Sequence, residues 1–181
     1  MRNKISKQTA RLTLCAVCTS LGVVILTLGA LIDVLDLSAA AFAGIVTVLI
    51  VIEIGGWWSW LTWAATGLLA VLLLPNKLPG VMYLLFCGWY PIVKQKLERI
   101  RLRPVVWLLK LVIMNAAMTL IIVVSKYILQ LPDDVVGWSL VLYLLANGAF
   151  VLFDIALTKI ITLYLLRLRK RFGFDNRDLR G

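Results

Sequence analysis

The chain has 181 residues, 62% of them hydrophobic, and a formal net charge of +10. A soluble domain is about 45–50% apolar, so this composition, with its mean hydropathy of +0.96, excludes an ordinary soluble core and predicts an integral membrane protein. With no histidine and three cysteines, the sequence offers few ligands for zinc or haem and no imidazole for acid–base chemistry.

Apolar stretches predict how the chain crosses the membrane. A spanning helix needs about 20 apolar residues, or about 17 at the short end, and six stretches meet or approach this length. The first, residues 12–32, is longer than the core of a signal peptide. We predict an all-α, polytopic protein with one membrane domain, a bundle of six spans and a basic tail. The spans are residues 10–32, 38–54, 57–74, 79–93, 105–129 and 136–166, and the tail is 167–181.

Basic residues indicate the orientation. They cluster before the first span, at residues 94–103 and in the tail, whereas the loops on the other side hold only Lys77 and Lys126. Cytoplasmic loops are enriched in Lys and Arg, so both termini are predicted to lie inside, in a multi-pass protein of a bacterial cell membrane. This topology explains the charge without nucleic-acid binding. Residues 94–103 are expected to form an amphipathic helix on membrane lipids or a solvated basic loop.

The stretch EIGGWWSWLTW, residues 53–63, contains four tryptophans within seven residues. Gly55 and Gly56 are predicted to form a tight cytoplasmic turn between the second and third spans. The tryptophans that follow lie at the membrane interface, where tryptophan is enriched, so they are interpreted as anchors and not as a ligand site. Trp63 is the one expected to reach the interior.

Charged residues inside the predicted spans lie near the cytoplasmic interface. An unpaired charge there costs about 2.5–3.5 kcal/mol on insertion scales, so we expect these residues to form a structural network of ion pairs between spans 2, 5 and 6. A proton or cation site at the acids is the alternative. The four residues are Glu53, Lys110, Asp154 and Lys159.

Uncharged polar residues form stripes at helical spacing on spans 5 and 6. Asn115 and Thr119 belong to the first stripe, and Tyr143 and Asn147 to the second. One interpretation is a ligand cavity that opens to the outside. The other is hydrogen bonding between helices, worth roughly 0.6 kcal/mol per contact.

The first span combines small residues and two cysteines. The spacing of Cys15 and Cys18 fits redox or metal chemistry, but in an apolar helix without a second pair it indicates packing. Ala16 and Ser20, and Cys18 and Gly22, form a ridge that allows close helix approach. The sequence has no phosphate-binding loop, paired catalytic carboxylates or serine constellation, so we predict no enzyme activity, catalytic residue, metal or cofactor.

The segments KQTARLTLCAVCTSLGVVI and NGAFVLFDIALTKIITLYLLRLRKR resemble the first and last helices of the substrate-binding S components of energy-coupling factor (ECF) transporters. That family uses Ala-x3-Ala in its first helix, where this chain has Ala16-x3-Ser20. The resemblance implies outside binding of a small micronutrient and docking, through Ala16, Ser20 and Gly22, on a transmembrane coupling subunit that carries two ATPase subunits. The implied solute contacts, together with Thr119 from the polar stripe, are Asp33, Lys77, Tyr83, Asn115, Tyr143 and Asn147.

Two other functions fit the same sequence. A non-transporting membrane scaffold or assembly factor would explain a basic face and a polar interior that are wholly structural. A small ion-coupled carrier would use Glu53 and Asp154.

Overall fold

The computed structural model describes residues 2–98, 100, 102–127 and 140–168, and the secondary structure in these ranges consists of helices. A 3₁₀ turn at Asp33–Leu35 precedes the second helix, and π-helical turns occupy Tyr83–Cys87 and Tyr164–Leu168. The helices are α1 (Arg2–Ala30), α2 (Asp36–Glu53), α3 (Gly56–Leu73), α4 (Leu78–Met82), α5 (Tyr90–Leu97), α6 (Arg103–Tyr127) and α7 (Leu140–Leu163).

Five of the six predicted spans coincide with helices that are long and apolar enough to cross a membrane, namely α1, α2, α3, α6 and α7 with its π-helical extension. The all-α prediction is confirmed for the described residues, and these five helices have the length and composition needed to span a membrane. Parts of the predicted fifth and sixth spans, residues 128–129 and 136–139, and the tail from residue 169 onward lie outside the described residues.

The predicted fourth span is a chain of short pieces, α4, a π-helical turn and α5, over residues 78–97. Pro91 has no N–H to donate to the carbonyl of Cys87, so the α-helical pattern is interrupted there. The N–H of Gly88 instead bonds to the carbonyl of Tyr83 at 2.8 Å, five residues back. We call residues 78–97 the segmented helix.

Glycine lets the segmented helix pack closely against its neighbours. A Cβ on Gly44 of α2 would lie 2.5 Å from the carbonyl oxygen of Cys87, and one on Gly88 would lie 2.5 Å from the Trp63 ring. Only a residue without a side chain permits such approaches. The segmented helix is therefore enclosed by other helices, and Tyr83 and Tyr90 on it are fully buried.

The turns agree with their sequence signals. Gly55 and Gly56 have φ values of 67° and 60°, in the left-handed region that glycine adopts without strain, and they join α2 to α3 as predicted. α3 ends before Pro75, because the residue before a proline is disfavoured in the helical region, and Leu74 is extended.

The bundle has two ends, which we call the basic end and the opposite end. The basic end holds the Gly55–Gly56 turn, the end of α5, the start of α6 and the end of α7. A hydrogen bond between Glu53 and Tyr164 and one between Glu98 and Lys110 bring these parts together. At the opposite end, Asn76 donates to the carboxylate of Asp36 at 3.1 Å.

Large apolar side chains on the outside of the bundle are exposed, as expected for a surface that faces lipid tails. An amphipathic helix over residues 94–103 would place Leu97 on the lipid, but Leu97 and the neighbouring Ile92 are buried inside the bundle, so that interpretation is wrong for this part of the segment. Exposed examples on the long helices are Leu12, Leu28, Phe42, Leu72, Leu73, Leu108, Leu140, Val141, Leu144, Leu145 and Leu152.

Candidate functional site

A buried cluster of charges joins α5, α6 and α7 near the basic end. The carboxylate of Asp154 is its centre: Oδ1 contacts the ammonium group of Lys94, and Oδ2 accepts a hydrogen bond from Lys110 at 2.8 Å. The hydroxyl of Tyr90 donates to Oδ1 at 2.5 Å. All four side chains are buried, so each charge has lost its water and is stabilised by its protein partners.

Glu98 completes the cluster at its more exposed edge. Its Oε1 lies 2.9 Å from the Lys94 ammonium and 3.4 Å from that of Lys110. Lys94 also donates to the hydroxyl of Thr158 at 2.9 Å and to the carbonyl of Asp154 at 3.1 Å. Two acids and two bases therefore satisfy one another, which is how ionisable groups are tolerated at membrane depth. We call Lys94, Glu98, Lys110 and Asp154, with Tyr90, the ionic cluster.

The ionic cluster differs in membership from the predicted network. Lys110 and Asp154 are paired, as expected. Glu53 is buried but accepts a hydrogen bond from Tyr164 at 2.9 Å and is not a partner of Lys110. Lys159 is exposed, and no acid of the described residues lies within ion-pairing distance of it. The inclusion of Glu53 and Lys159 was therefore wrong.

Sequence reasoning missed Lys94, Glu98 and Tyr90. Lys94 and Glu98 stand four residues apart, as do Tyr90 and Lys94, which is the spacing of side chains on one helical face. The sequence hides this signal, because the predicted fourth span ends at residue 93 and the residues that follow are predicted to lie at the surface. The occupied carboxylate of Asp154 also disfavours a cation site, since an incoming cation would have to displace two ammonium groups.

The predicted polar stripes form a ladder of hydrogen bonds between α6 and α7. The amides of Asn115 and Asn147 bond reciprocally, each Nδ2 donating to the other Oδ1 at 3.1 Å. The hydroxyls of Thr119 and Tyr143 lie 3.0 Å apart. These four side chains line neither of the two cavities described below, and their contacts fit hydrogen bonding between helices.

The other predicted solute contacts are dispersed. The hydroxyl of Tyr83 lies 2.8 Å from that of Thr47 inside the core. Lys77 is half-buried and donates to the carbonyl of Leu72 at 3.4 Å. Asp33 stands in the 3₁₀ turn, and its side chain lies outside the described part of the structure. The structure thus brings neither Tyr83 nor Lys77 to a common site with the α6–α7 ladder.

A cavity of about 430 Å³ lies between α2, the segmented helix, α6 and α7. It extends from the opposite end, at Leu37 and Ser38, to Phe153, which directly precedes Asp154 of the ionic cluster. Apart from the hydroxyl of Ser38, its side chains are apolar. We call it the apolar cavity, and its other walls are Ala41, Met82, Phe86, Cys87, Met114, Met118, Ile121, Leu142, Leu145, Ala146, Ala149 and Phe150.

The small residues of α1 face two environments. Ala16 and Ser20 are exposed. Gly22 is buried, and a Cβ added to it would lie 2.8 Å from the Thr66 methyl of α3, so its place in an outer docking surface was wrong. Cys15 and Cys18 are buried against α2 as free thiols, in line with a packing role.

The tryptophans also divide between surface and interior. Trp57 is 72% exposed, which suits an anchor at the membrane surface. Trp63 is half-buried, and its Nε1 donates to the carbonyl of Leu84 at 3.1 Å, so it ties α3 to the segmented helix. None of the four tryptophans lines the apolar cavity.

No protein-family profile, curated protein or solved structure matches this chain. Function is therefore inferred from the geometry of the cavities, the ionic cluster and the helix surfaces.

Proposed function

We propose that the protein is a membrane-embedded binding subunit, similar to an S component, that takes up a small and largely apolar micronutrient across a bacterial cell membrane. The observation that carries the proposal is the apolar cavity. In the proposed topology, with six spans and both termini in the cytoplasm, the end of this cavity at Leu37 and Ser38 lies towards the outside of the membrane.

The size and lining of the apolar cavity support this function. Its volume of about 430 Å³ falls within the roughly 300–1,000 Å³ that is typical of small-molecule sites. Met82, Met114 and Met118 offer flexible, polarisable side chains, and Phe86 and Phe150 offer ring faces. Such a wall suits an apolar ring or chain, and the hydroxyl of Ser38 can orient a polar group at one end.

Docking on a coupling subunit with two ATPase subunits is the second part of the proposal. It is supported by Ala16 and Ser20, which lie exposed one helical turn apart on α1. Small residues at this spacing let a second helix approach closely. Movement of the solute would then depend on that partner, since the chain carries no motif for ATP hydrolysis.

Native mass spectrometry of the purified protein tests solute binding. We expect a co-purifying small molecule in the wild type and its loss in Ala146→Phe, because the added ring fills the apolar cavity. Ala156→Phe is the matched control on the same helix, as Ala156 is exposed and does not line the cavity. A wild type that carries no small molecule, or equal occupancy in both variants, contradicts the proposal.

Co-purification from the native membrane tests docking. Ala16→Leu and Ser20→Leu should abolish recovery of an ATPase-linked partner while the solute stays bound, because a bulky side chain separates the helices. Ala10→Leu, at an exposed α1 position on another face, is the control. Loss of solute and partner together would indicate a folding defect and count against a docking surface.

A non-transporting scaffold is the second candidate. The observation in its favour is that the α6–α7 ladder and the ionic cluster are internally satisfied and need no ligand. A partner without ATPase subunits, recovered with a protein that carries no solute, would favour the scaffold.

A further inference from the structure

A second cavity, of about 420 Å³, opens at the basic end between the start of α6 and the last turns of α7. Its floor is the side of the ionic cluster formed by Lys110, Asp154 and Glu98, and its rim includes Arg103, Trp107 and Lys159. We call it the basic cavity. It is separate from the apolar cavity, with which it shares no lining residue.

The basic cavity has an excess of positive charge. In the ionic cluster, Asp154 and Glu98 are already neutralised by Lys94 and Lys110. Arg103 and Lys159 add two further cations, and within the described part of the chain neither has a carboxylate in ion-pairing distance. An anion that enters the basic cavity would therefore meet two uncompensated charges, with the Lys110 ammonium at the floor.

The surroundings of these cations resemble a membrane interface. Trp107 is 39% exposed, and Lys110 lies 5.3 Å from the centre of its ring. Leu108 on α6 and Leu152 on α7 are exposed apolar side chains on the same two helices. Basic residues beside exposed tryptophan and an apolar wall are placed where anionic headgroups lie.

We propose that the basic cavity binds a phosphate group, held by the guanidinium of Arg103 and the ammonium of Lys159. A guanidinium presents paired N–H donors that match two phosphate oxygens, and a lysine ammonium adds a point charge. The phosphate is carried either by an anionic phospholipid of the cytoplasmic leaflet or by a soluble phosphate ester. The site does not depend on the solute or partner proposed above.

The test uses full-length protein in nanodiscs with equal amounts of phosphatidylglycerol and phosphatidylcholine. The protein is then released from the nanodiscs, and the lipids that stay bound to it are identified by native mass spectrometry. We expect the wild type to retain phosphatidylglycerol, and Arg103→Gln/Lys159→Gln to lose this preference by roughly thirtyfold, because two cations near an anionic group are removed. Lys77→Gln/Lys96→Gln removes the same charge outside the cavity and should retain the preference.

A competition experiment distinguishes a phospholipid headgroup from a soluble phosphate ester as the bound group. Glycerol 3-phosphate is added at constant ionic strength. Displacement of phosphatidylglycerol indicates a soluble phosphate ester, whereas lipid that stays bound indicates the headgroup, and both results support the site. Retention of phosphatidylglycerol by the double glutamine variant overturns it. Should that variant not fold, the exchange Arg103→Lys/Lys159→Arg keeps both charges, and loss of phosphatidylglycerol in this folded variant would also overturn the proposal.

Discussion

The packing of α2 and the packing of α7 show two ways of holding a membrane helix in place. α2 is buried along most of its length by apolar and small residues, and it meets the segmented helix through Gly44. Of the described residues of α7, three are buried, and one of these is the charged Asp154. Besides Phe150 and Leu157, which pack in the core, α7 is attached by the α6–α7 ladder and the ionic cluster.

This difference follows from the solvent. Lipid tails are as apolar as leucine, so burial of apolar surface between helices brings little gain in a membrane. Close van der Waals packing at small residues and polar contacts between helices remain as the main sources of stability. The region around α2 relies on close packing at small residues, and the α6–α7 pair relies on polar contacts. Enlarging a small residue should therefore destabilise the α2 region, whereas removing a polar group should destabilise the attachment of α7.

The largest effect is expected where the ionic cluster loses its centre. Asp154→Ala leaves the buried ammonium groups of Lys94 and Lys110 without their main partner, and breaking a buried pair in this way costs about 3–5 kcal/mol. The free energy of unfolding, from reversible SDS titration in mixed micelles, measures the loss. Asp154→Asn keeps the shape but not the charge and should be nearly as harmful.

Lys159→Ala is the matched control on α7, because Lys159 is exposed, and a change within about 0.5 kcal/mol is expected. Equal stability of the Asp154→Ala and Lys159→Ala proteins would show that the ionic cluster does not hold α7.

A middle-sized effect is expected where α2 meets the segmented helix. Gly44→Ala places a methyl group 2.5 Å from the Cys87 carbonyl oxygen, and backbone must move to relieve the clash, at a cost of about 1–3 kcal/mol. Gly148→Ala on α7, where no atom lies within 4 Å of the added Cβ, should be neutral or stabilise by up to about 1 kcal/mol. The same SDS titration compares them, and similar values for both glycines would refute close packing as the basis of α2 stability.

The smallest effect is expected in the α6–α7 ladder. A double-mutant cycle of Asn115→Ala and Asn147→Ala should give a coupling energy of about 0.6 kcal/mol, and at most about 1.7 kcal/mol, as for other hydrogen bonds between membrane helices. Asn115→Ala with Thr27→Val is the control, since Thr27 bonds within α1 and the two changes should add. A coupling of zero for the asparagines would mean that this amide pair contributes nothing to α7 attachment.

The sequence predicted the helices better than the site. Five spans follow from uninterrupted apolar length, and the turn at Gly55 and Gly56 follows from residue type, because both signals act locally. The segmented helix was harder, since Pro91 and Gly88 break it and its place inside the bundle depends on glycines elsewhere in the chain, such as Gly44.

The ionic cluster shows the same limit. The predicted depth of each residue along its span places Lys110 and Asp154 at the same level. Depth does not, however, give the direction in which a side chain points. Glu53 and Lys159 are at a similar predicted level, yet one bonds Tyr164 and the other is exposed. Lys94 is fully buried because α5 continues to Leu97 and remains packed in the bundle beyond the predicted end of its span at residue 93.

Composition and apolar length by themselves determined that the chain is helical, with five helices long and apolar enough to cross a membrane, because both depend on the transfer of a local segment from water to lipid. Tertiary structure alone decided which polar residues meet. It joined Asn115 to Asn147, placed Lys94 and Lys110 on Asp154, and formed an apolar cavity between α2, the segmented helix, α6 and α7. Such contacts depend on the rotation and spacing of whole helices, which are set by close packing across the entire bundle.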